Sequence, residues 1–282
     1  MKLNKGSLEL MLGCDPEVFV KDSSGKHVSA HGLIPGTKDN PLKVKDGMVQ
    51  VDGMALEFGV DPCATEDEFV TRISSVMTQL ASMLPKGYTL DVVPVVVFDE
   101  TIIRAQPPEA LELGCDPDYN AYTRMTNPKP NLTDPCMRSA GGHVHFGWGK
   151  NFRPNGAHIN ACAALAIQLD NFLGVPSLGW DDNALRRALY GAAGAFRPKP
   201  YGMEYRSLSN QWLLKESTTR FVYRRAVAAF AQLAMNSEKA TLMPKVAAIN
   251  NRAGYQAQAV INNNMAEIGA AIYEKVRHEN SL

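Results

Sequence analysis

Three short apolar stretches of the chain each carry two ionisable residues separated by a single position: Asp15-Pro16-Glu17, His143-Val144-His145 and Glu204-Tyr205-Arg206. Successive side chains of a strand alternate between faces, so each pair projects from one side of its strand while the apolar neighbours project from the other. A fourth stretch, Met54 to Val60, sets Glu57 between Leu56 and Phe58 and adds a carboxylate to the polar side. Such a chain needs a sheet with one face buried and the other reserved for charge. Gathering these carboxylates is unfavourable on its own, since two like charges about 4 Å apart repel by roughly 4 kcal/mol at an effective dielectric near 20. A bound cation removes the repulsion. A carboxylate-rich set with one imidazole suits hard Mg²⁺ or Mn²⁺, whereas Zn²⁺ favours more nitrogen and sulfur.

The rest of the pattern supplies the sheet and its cover. Glu17 to Lys21 reads as a strand, Ser23-Ser24-Gly25 as a turn and His27 to Ala30 as the return; Leu42 to Lys45 and Met48 to Val51 form a second hairpin around Asp46-Gly47. At Thr65-x-x-Glu68 a capping box opens a helix whose Phe69, Ile73, Val76, Met77, Leu80 and Leu84 share one face, and Lys86-Gly87 ends it. Leu90 to Phe98 is expected to be one strand, at a sheet edge or with a bulge at Pro94, followed by strands at His143 to Trp148 and Gly202 to Leu208. Helices are expected at Gly156 to Leu173, Asp182 to Tyr190, Glu216 to Met235 and Ala257 to His278. Strands first and helices last give an α+β layout, an antiparallel sheet with helices on one side.

With 282 residues and no low-complexity tract or linker, the chain reads as one domain, 1–282. Its 29 basic and 29 acidic residues cancel, which argues against tracking nucleic acid or an anionic membrane. Charge that matters is therefore local and segregated. No apolar run approaches the roughly 20 residues of a membrane helix. Five cysteines without C-x-x-C spacing, after a start lacking a secretory apolar core, point to a reducing, cytoplasmic setting.

Two further segments invite a functional reading. Arg186-Arg187, Arg197 and Lys199 form a basic stretch punctuated by two glycines and, with Arg206, are expected near phosphate oxygens. Thr101 to Gly142 fits neither period and holds six of the 17 prolines; Tyr119, Tyr122, Arg124 and Arg138 make it a candidate for substrate recognition. Gly32-x-x-x-Gly36-Thr37-Lys38 is not a Walker motif, because its glycine spacing is one short and its Lys-Thr order inverted, but it is a candidate loop near the site, with His31 beside it.

The order of these motifs resembles the glutamine synthetase superfamily of carboxylate-amine ligases: Gly-x-Asp15-x-Glu17, acids around Asp52 and Glu57, Gly-His143-x-His145, Arg197, then Glu204-Tyr-Arg206. More closely, the Gly-Cys-Asp-Pro-Glu start and the Met-Glu-Tyr-Arg strand resemble the phage-type COOH-NH2 ligases (type 2). The resemblance implies a glutamine synthetase-like catalytic domain, a curved antiparallel sheet with helices packed on its outer face. It also implies Asp15, Glu17, Glu57, His143 and Glu204 as metal ligands, with Asp15 and Glu17 on different ions. Arg197, Lys199, Arg206 and Glu204 would lie on the nucleotide, with Arg197, Arg206 and Glu57 catalytic. His145, Arg138 and Asp52 would serve the substrate.

The implied reaction uses ATP and two or more Mg²⁺ (or Mn²⁺) ions to join a small-molecule or peptide carboxylate to an amine through an acyl phosphate, in the cytoplasm of a host if the chain is phage-encoded. A homo-oligomer is compatible with it. Two other classes compete: a metal-dependent hydrolase or oxygenase built on the His-x-His strand, and a non-enzymatic phage-associated binding module. The first lacks the nearby acid and further His of cupin-like sites. The second predicts that the acids and imidazoles are dispersed.

Overall fold

The computed structural model describes residues 10–112, 118–129, 134–149, 153–181 and 183–235. Strands β1 (Met11–Cys14), β2 (Glu17–Lys21), β3 (His27–Val28), β4 (Leu42–Val44), β5 (Gly47–Asp52) and β6 (Ala55–Val60) precede helix α1 (Glu66–Ser82). There follow β7 (Thr89–Asp91), β8 (Val95–Val97), α2 (Glu100–Arg104), α3 (Pro108–Leu111), β9 (Tyr119–Asn120), β10 (Met137–Ser139) and β11 (Val144–Gly147). Helix α4 (His158–Leu169) runs through one π turn, Asp170–Gly174, into α5 (Val175–Ser177); then come α6 (Ala184–Leu189), β12 (Ala195–Lys199), β13 (Gly202–Tyr205), a 3₁₀ turn at Asn210–Leu214 and α7 (Glu216–Met235). The helix expected at Ala257 to His278 lies outside the described residues.

One antiparallel sheet has the order β1-β11-β13-β12-β9 and another β3-β2-β6-β5-β4, with β7 also on β2. They are two halves of one curled surface, because β1 and β2 are a single extended run bent at Pro16. On one side Leu12 exchanges backbone hydrogen bonds with Cys63 (2.9 and 2.7 Å) and the Phe58 N–H donates to the Pro16 carbonyl (3.1 Å). On the other, the N–H groups of Asp15 and Glu17 donate to the carbonyls of His143 and Gly141 (3.3 and 3.0 Å). Proline at the bend has no N–H to leave unpaired there.

Apolar residues on the covered face decide where the helices sit. Leu12, Val18, Leu56, Phe58, Val144, Phe146, Phe196, Met203 and Tyr205 form one buried cluster with Phe69, Ile73, Val76 and Leu80 of α1 and with residues of α4 and α7. Each large side chain removed from water contributes about 1.5–3 kcal/mol, so this face fixes the sheet's orientation. The α1 capping box is present: Thr65 accepts from the Glu68 N–H, and the Glu68 carboxylate accepts from the Thr65 N–H. A second cluster of Phe19, Met54, Ala55, Val96, Phe98 and Ala140 lies apart from the first. Phe19 follows Glu17 by two, so the β8–β10 pair covers the polar face just beyond Glu17.

The structure corrects one strand expectation. Leu90 to Phe98 is not one strand: the chain breaks around Pro94, so that β7 pairs with β2 while β8 pairs with β10. The basic stretch Ala195–Lys199, for which no element was expected, is β12, whose register places Pro198 opposite Met203.

Behind β13, Tyr205 donates its hydroxyl proton to Asp170 (2.6 Å) and Tyr122 donates to the other carboxylate oxygen (2.8 Å). Asp170 is fully buried, and burial pushes its carboxyl up to about 7, against the hydrogen bonds from both tyrosines. A raised folded-state value means that the folded protein holds a proton the unfolded chain has released. This contribution therefore falls as pH rises from about 4 to about 7 and is level above that. Its full span is on the order of 4 kcal/mol. Asp170→Asn is expected to flatten this part of the curve, measured as the difference between wild-type and variant urea stabilities from pH 4.5 to 8.

Candidate active site

Strand register, rather than proximity in sequence, assembles the polar face. Glu17 lies opposite Glu57, and Glu57 opposite Gln50, which makes one row across β2, β6 and β5. Gly13, His145, Glu204 and Arg197 make a second row across β1, β11, β13 and β12. Asp15 and His143 stand between the rows, and Arg206 and Lys199 continue the faces of Glu204 and Arg197. Of the residues expected at the site, Glu17, Glu57, His145, Arg197, Lys199 and Glu204 lie on these strands, Asp52 ends β5, Asp15, His143 and Arg206 each directly adjoin a strand end, and Arg138 lies on β10.

Glu204 is fully buried and ringed by cations: Lys199 Nζ at 2.8 Å, Arg197 Nη1 at 3.5 Å, and a very close Arg206 guanidinium. Arg206 also reaches Asp118 (3.3 Å). His143 Nδ1 lies 3.3 Å from Asp15 and 3.4 Å from Glu204, and Arg206 Nη1 is 3.4 Å from the same nitrogen. Burial, then Arg206, holds the His143 imidazole below its ordinary value despite Asp15. Asp15 behaves oppositely: burial opposes its ionisation, but His145 and His143 together hold its carboxyl well below the usual range.

The other row has too little positive charge. Glu57 is pushed well up by burial and then by Asp15, Glu17 and Asp52; Glu17 is raised by burial and Asp52 despite His143. Gln50 donates to Glu57 (3.0 Å), the Gly141 N–H donates to Glu17 (2.8 Å), and Lys38 stands 3.8 Å from Asp52.

Ligating atoms of Asp15, His145 and Glu204 lie within 4.8 Å of one another, as do those of Glu17, Asp52 and Glu57. Asp15 Oδ1, His145 Nε2 and Glu204 Oε2 are buried yet lack a properly directed hydrogen bond, although all three have charged neighbours. Buried polar atoms without partners are costly, so these donor sets fit a hard divalent cation. His145 joins the first set while His143 bridges Asp15 and Glu204, and Asp52 joins the second set. Tyr201 meets His145 Nδ1 at 2.5 Å and stacks on its ring, the kind of outer contact that fixes which imidazole nitrogen faces a ligand.

Two basic residues expected near phosphates have other partners. Arg186 is buried and donates to the carbonyls of Ala140 (2.9 Å), Ser207 (3.1 Å) and Leu208 (2.6 Å), tying the approach to β11 to the end of β13. Arg187 pairs with buried Asp181 (3.1 Å). Tyr119 packs on Phe196 and Tyr122 serves Asp170, so within 101–142 Arg138 is the candidate that lines the site. Lys38 lies in the loop expected near the site, whereas Gln50 and Tyr201 escaped the sequence reading. Gln50 alternates with Asp52 and was recoverable once the register was known; Tyr201 lies in the turn between β12 and β13 and carried no signal.

A cavity of about 670 Å³ opens beside Glu17 and Asp52. His143, Arg138 and Arg206 line it, and the Gly32–Asp39 loop forms part of its wall. Gly141 sets one boundary, since a Cβ there would meet the His143 ring at 2.4 Å. Gly141→Ala is expected to turn the imidazole and cost about 1–3 kcal/mol through overpacking, visible in urea unfolding and in the His143 NMR resonances.

Residues 136–280 match the sequence profile of the Phage phiEco32-like COOH.NH2 ligase-type 2 family. The chain belongs to that family. This places it among carboxylate-amine ligases in general, and the match includes β11, β12 and β13 with His143, His145, Arg197, Glu204 and Arg206. No curated protein matches the chain. A solved structure described as a "novel glutamine synthase homolog" superposes with a TM-score of 0.44 at 12% identity, covering 94% of this chain and 67% of that one. Among the described residues, no helix is long and apolar enough to cross a membrane.

Proposed function

We propose that the chain is an ATP-dependent amide-forming ligase that activates a carboxylate as an acyl phosphate. The observation that carries this reading is the pairing of two carboxylate sets with three cations on one sheet face. The first set comprises Asp15, His145 and Glu204 and the second Glu17, Asp52 and Glu57; both suit Mg²⁺ or Mn²⁺. Bound there, such ions would supply neutralisation of phosphate charge and a template for in-line transfer.

The chain's own residues do the rest. Arg197, Lys199 and Arg206 present donors to the γ-phosphoryl group and stabilise charge on it as it moves. A substrate carboxylate oxygen bonds to the γ-phosphorus and the bond to ADP breaks. The amine nitrogen then attacks the acyl carbon, phosphate leaves, and the proton released from nitrogen goes to a base. Glu57, which shares that face with Glu17, is the carboxylate proposed to take that proton. His143, kept neutral, orients Asp15 and Glu204. No side-chain nucleophile is required.

The test is release of ADP and phosphate from ATP with Mg²⁺ or Mn²⁺ and a panel of acid and amine pairs, alongside nucleotide binding. Metal-dependent nucleotide binding that weakens in Glu17→Gln and Glu204→Gln supports the reading. Absence of nucleotide binding with either ion, and ligand binding indifferent to both substitutions, would defeat it. Tightly held iron or zinc with no response to ATP would favour a hydrolase or oxygenase.

A further inference from the structure

Arg206 is held by two carboxylates from distant parts of the chain. Glu204, two residues before it, closes on Nη1, while Asp118, which precedes β9, accepts a hydrogen bond from Nε at 3.3 Å. The second contact spans 88 positions of sequence and comes from the segment expected to recognise substrate. Asp118 belongs to neither acid set.

The Asp118 carboxylate is itself anchored. Asn127 donates its side-chain amide to Asp118 Oδ1 (3.0 Å) and its backbone N–H to the Asp118 carbonyl (2.9 Å), which closes residues 118–127 into a turn. Pairing of β9 with β12 sets Asn120 opposite Ala195, and the Ala195 carbonyl accepts from the Arg206 backbone N–H (2.9 Å). Backbone and side chain of Arg206 are thus referred to one frame. A planar guanidinium held at one nitrogen can still swing about that contact; held at Nε and Nη1, it has a fixed plane. Donors fixed before the reacting charge arrives contribute most to its stabilisation. Arg206 lines the cavity and Asp118 does not, so Asp118 acts on the site through Arg206.

We propose that Asp118 is a positioning residue that aims the Arg206 guanidinium at the phosphoryl group, and that the 118–127 turn serves to hold it rather than to recognise substrate. This rests on the ligase reading, which gives Arg206 its phosphate. It is separable from it, because the aim of the guanidinium is read without nucleotide.

The experiment uses the full chain and two readouts. In the nucleotide-free protein the Arg206 Nε–H NMR resonance, assigned by its loss in Arg206→Lys, is expected to be resolved and slow to exchange, and Asp118→Ala is expected to abolish that protection. Asn127→Ala leaves both partners in place but frees the carboxylate, and should weaken the protection in part. In calorimetric titration with Mg²⁺ and a non-hydrolysable ATP analogue, Asp118→Ala is expected to lower affinity roughly 3- to 10-fold, the cost of ordering one long side chain on binding. The same change made in Arg206→Lys, which keeps a charge beside Glu204 but has no Nε for Asp118 to hold, should cost less than about twofold. Should Asp118→Ala fail to fold, Asp118→Asn, of nearly the same shape, carries the same comparisons. Equal losses of affinity in the two backgrounds, or an Arg206 resonance indifferent to Asp118, would overturn the assignment. Failure of the analogue to bind wild-type protein while the resonance behaves as expected would instead count against the ligase reading.

Discussion

Glu204→Gln is expected to abolish ADP release, by 10²-fold or more, and to destabilise the protein at the same time. The activity loss follows from removing the carboxylate that organises three donors around the incoming phosphoryl group; losing even one preorganised electrostatic contact costs 10²- to 10³-fold in comparable sites. The stability loss has a separate origin. Glu204 is fully buried, and Lys199, Arg197 and Arg206 all direct charge at it. Neutralising it leaves those cations facing an amide. Breaking a buried pair costs about 3–5 kcal/mol. The lower end applies here, because the Lys199 and Arg197 side chains keep 25% and 17% of their surface exposed and Arg206 retains Asp118. Glu204→Asp keeps the charge on a shorter arm, so it should recover much of the stability and little of the activity. Urea unfolding and ADP release measured on the same preparations would separate the two effects. A Glu204→Gln protein as stable and as active as wild type would remove Glu204 from the site.

Why this site was partly legible in sequence follows from the geometry of strands. A period of two fixes which side chains share a face, so Asp15 with Glu17, His143 with His145 and Glu204 with Arg206 could be placed together from spacing alone. Register could not be read. That Glu57 stands opposite Glu17, and Glu204 between His145 and Arg197, depends on pairings between segments far apart in sequence. Asp52 shows the same limit. A five-residue offset from Glu57 does not by itself put the two acids together, but the tight connection between β5 and β6 pairs Asp52 with Ala55 and Gln50 with Glu57, leaving the two acids diagonal neighbours. Composition misled where burial overrode it. Arg186 lies in a basic run, yet its partners are backbone carbonyls at Ala140, Ser207 and Leu208, contacts that no local pattern announces.

The second carboxylate set should respond to neutralisation with the opposite sign of stability. Glu57→Gln removes one of three acids that crowd each other, with Lys38 near Asp52 and an amide from Gln50 as their nearby compensation. Burial and mutual repulsion raise the carboxyls of Glu57 and Glu17, so ionising them works against the folded state. The metal-free variant is therefore expected to be more stable than wild type near neutral pH, by about 1–2 kcal/mol, the usual gain from relieving one unfavourable site. The sign of the pH dependence follows. Lowering the pH through these raised values should stabilise wild type as the acids take up protons, whereas the variant has one fewer proton to gain and should respond less. Cation binding should move the other way. Mn²⁺ affinity is expected to fall by roughly 100-fold or more, since changing even an outer partner of a metal ligand typically costs 10- to 100-fold, and ligase activity should fall with it. A variant that gains stability while losing Mn²⁺ and turnover would mark Glu17, Asp52 and Glu57 as a site whose repulsion is kept for binding. If metal-free stability drops as it does in Glu204→Gln, the three acids are held by hydrogen bonds that outweigh their repulsion, and the assignment of a cation to them fails.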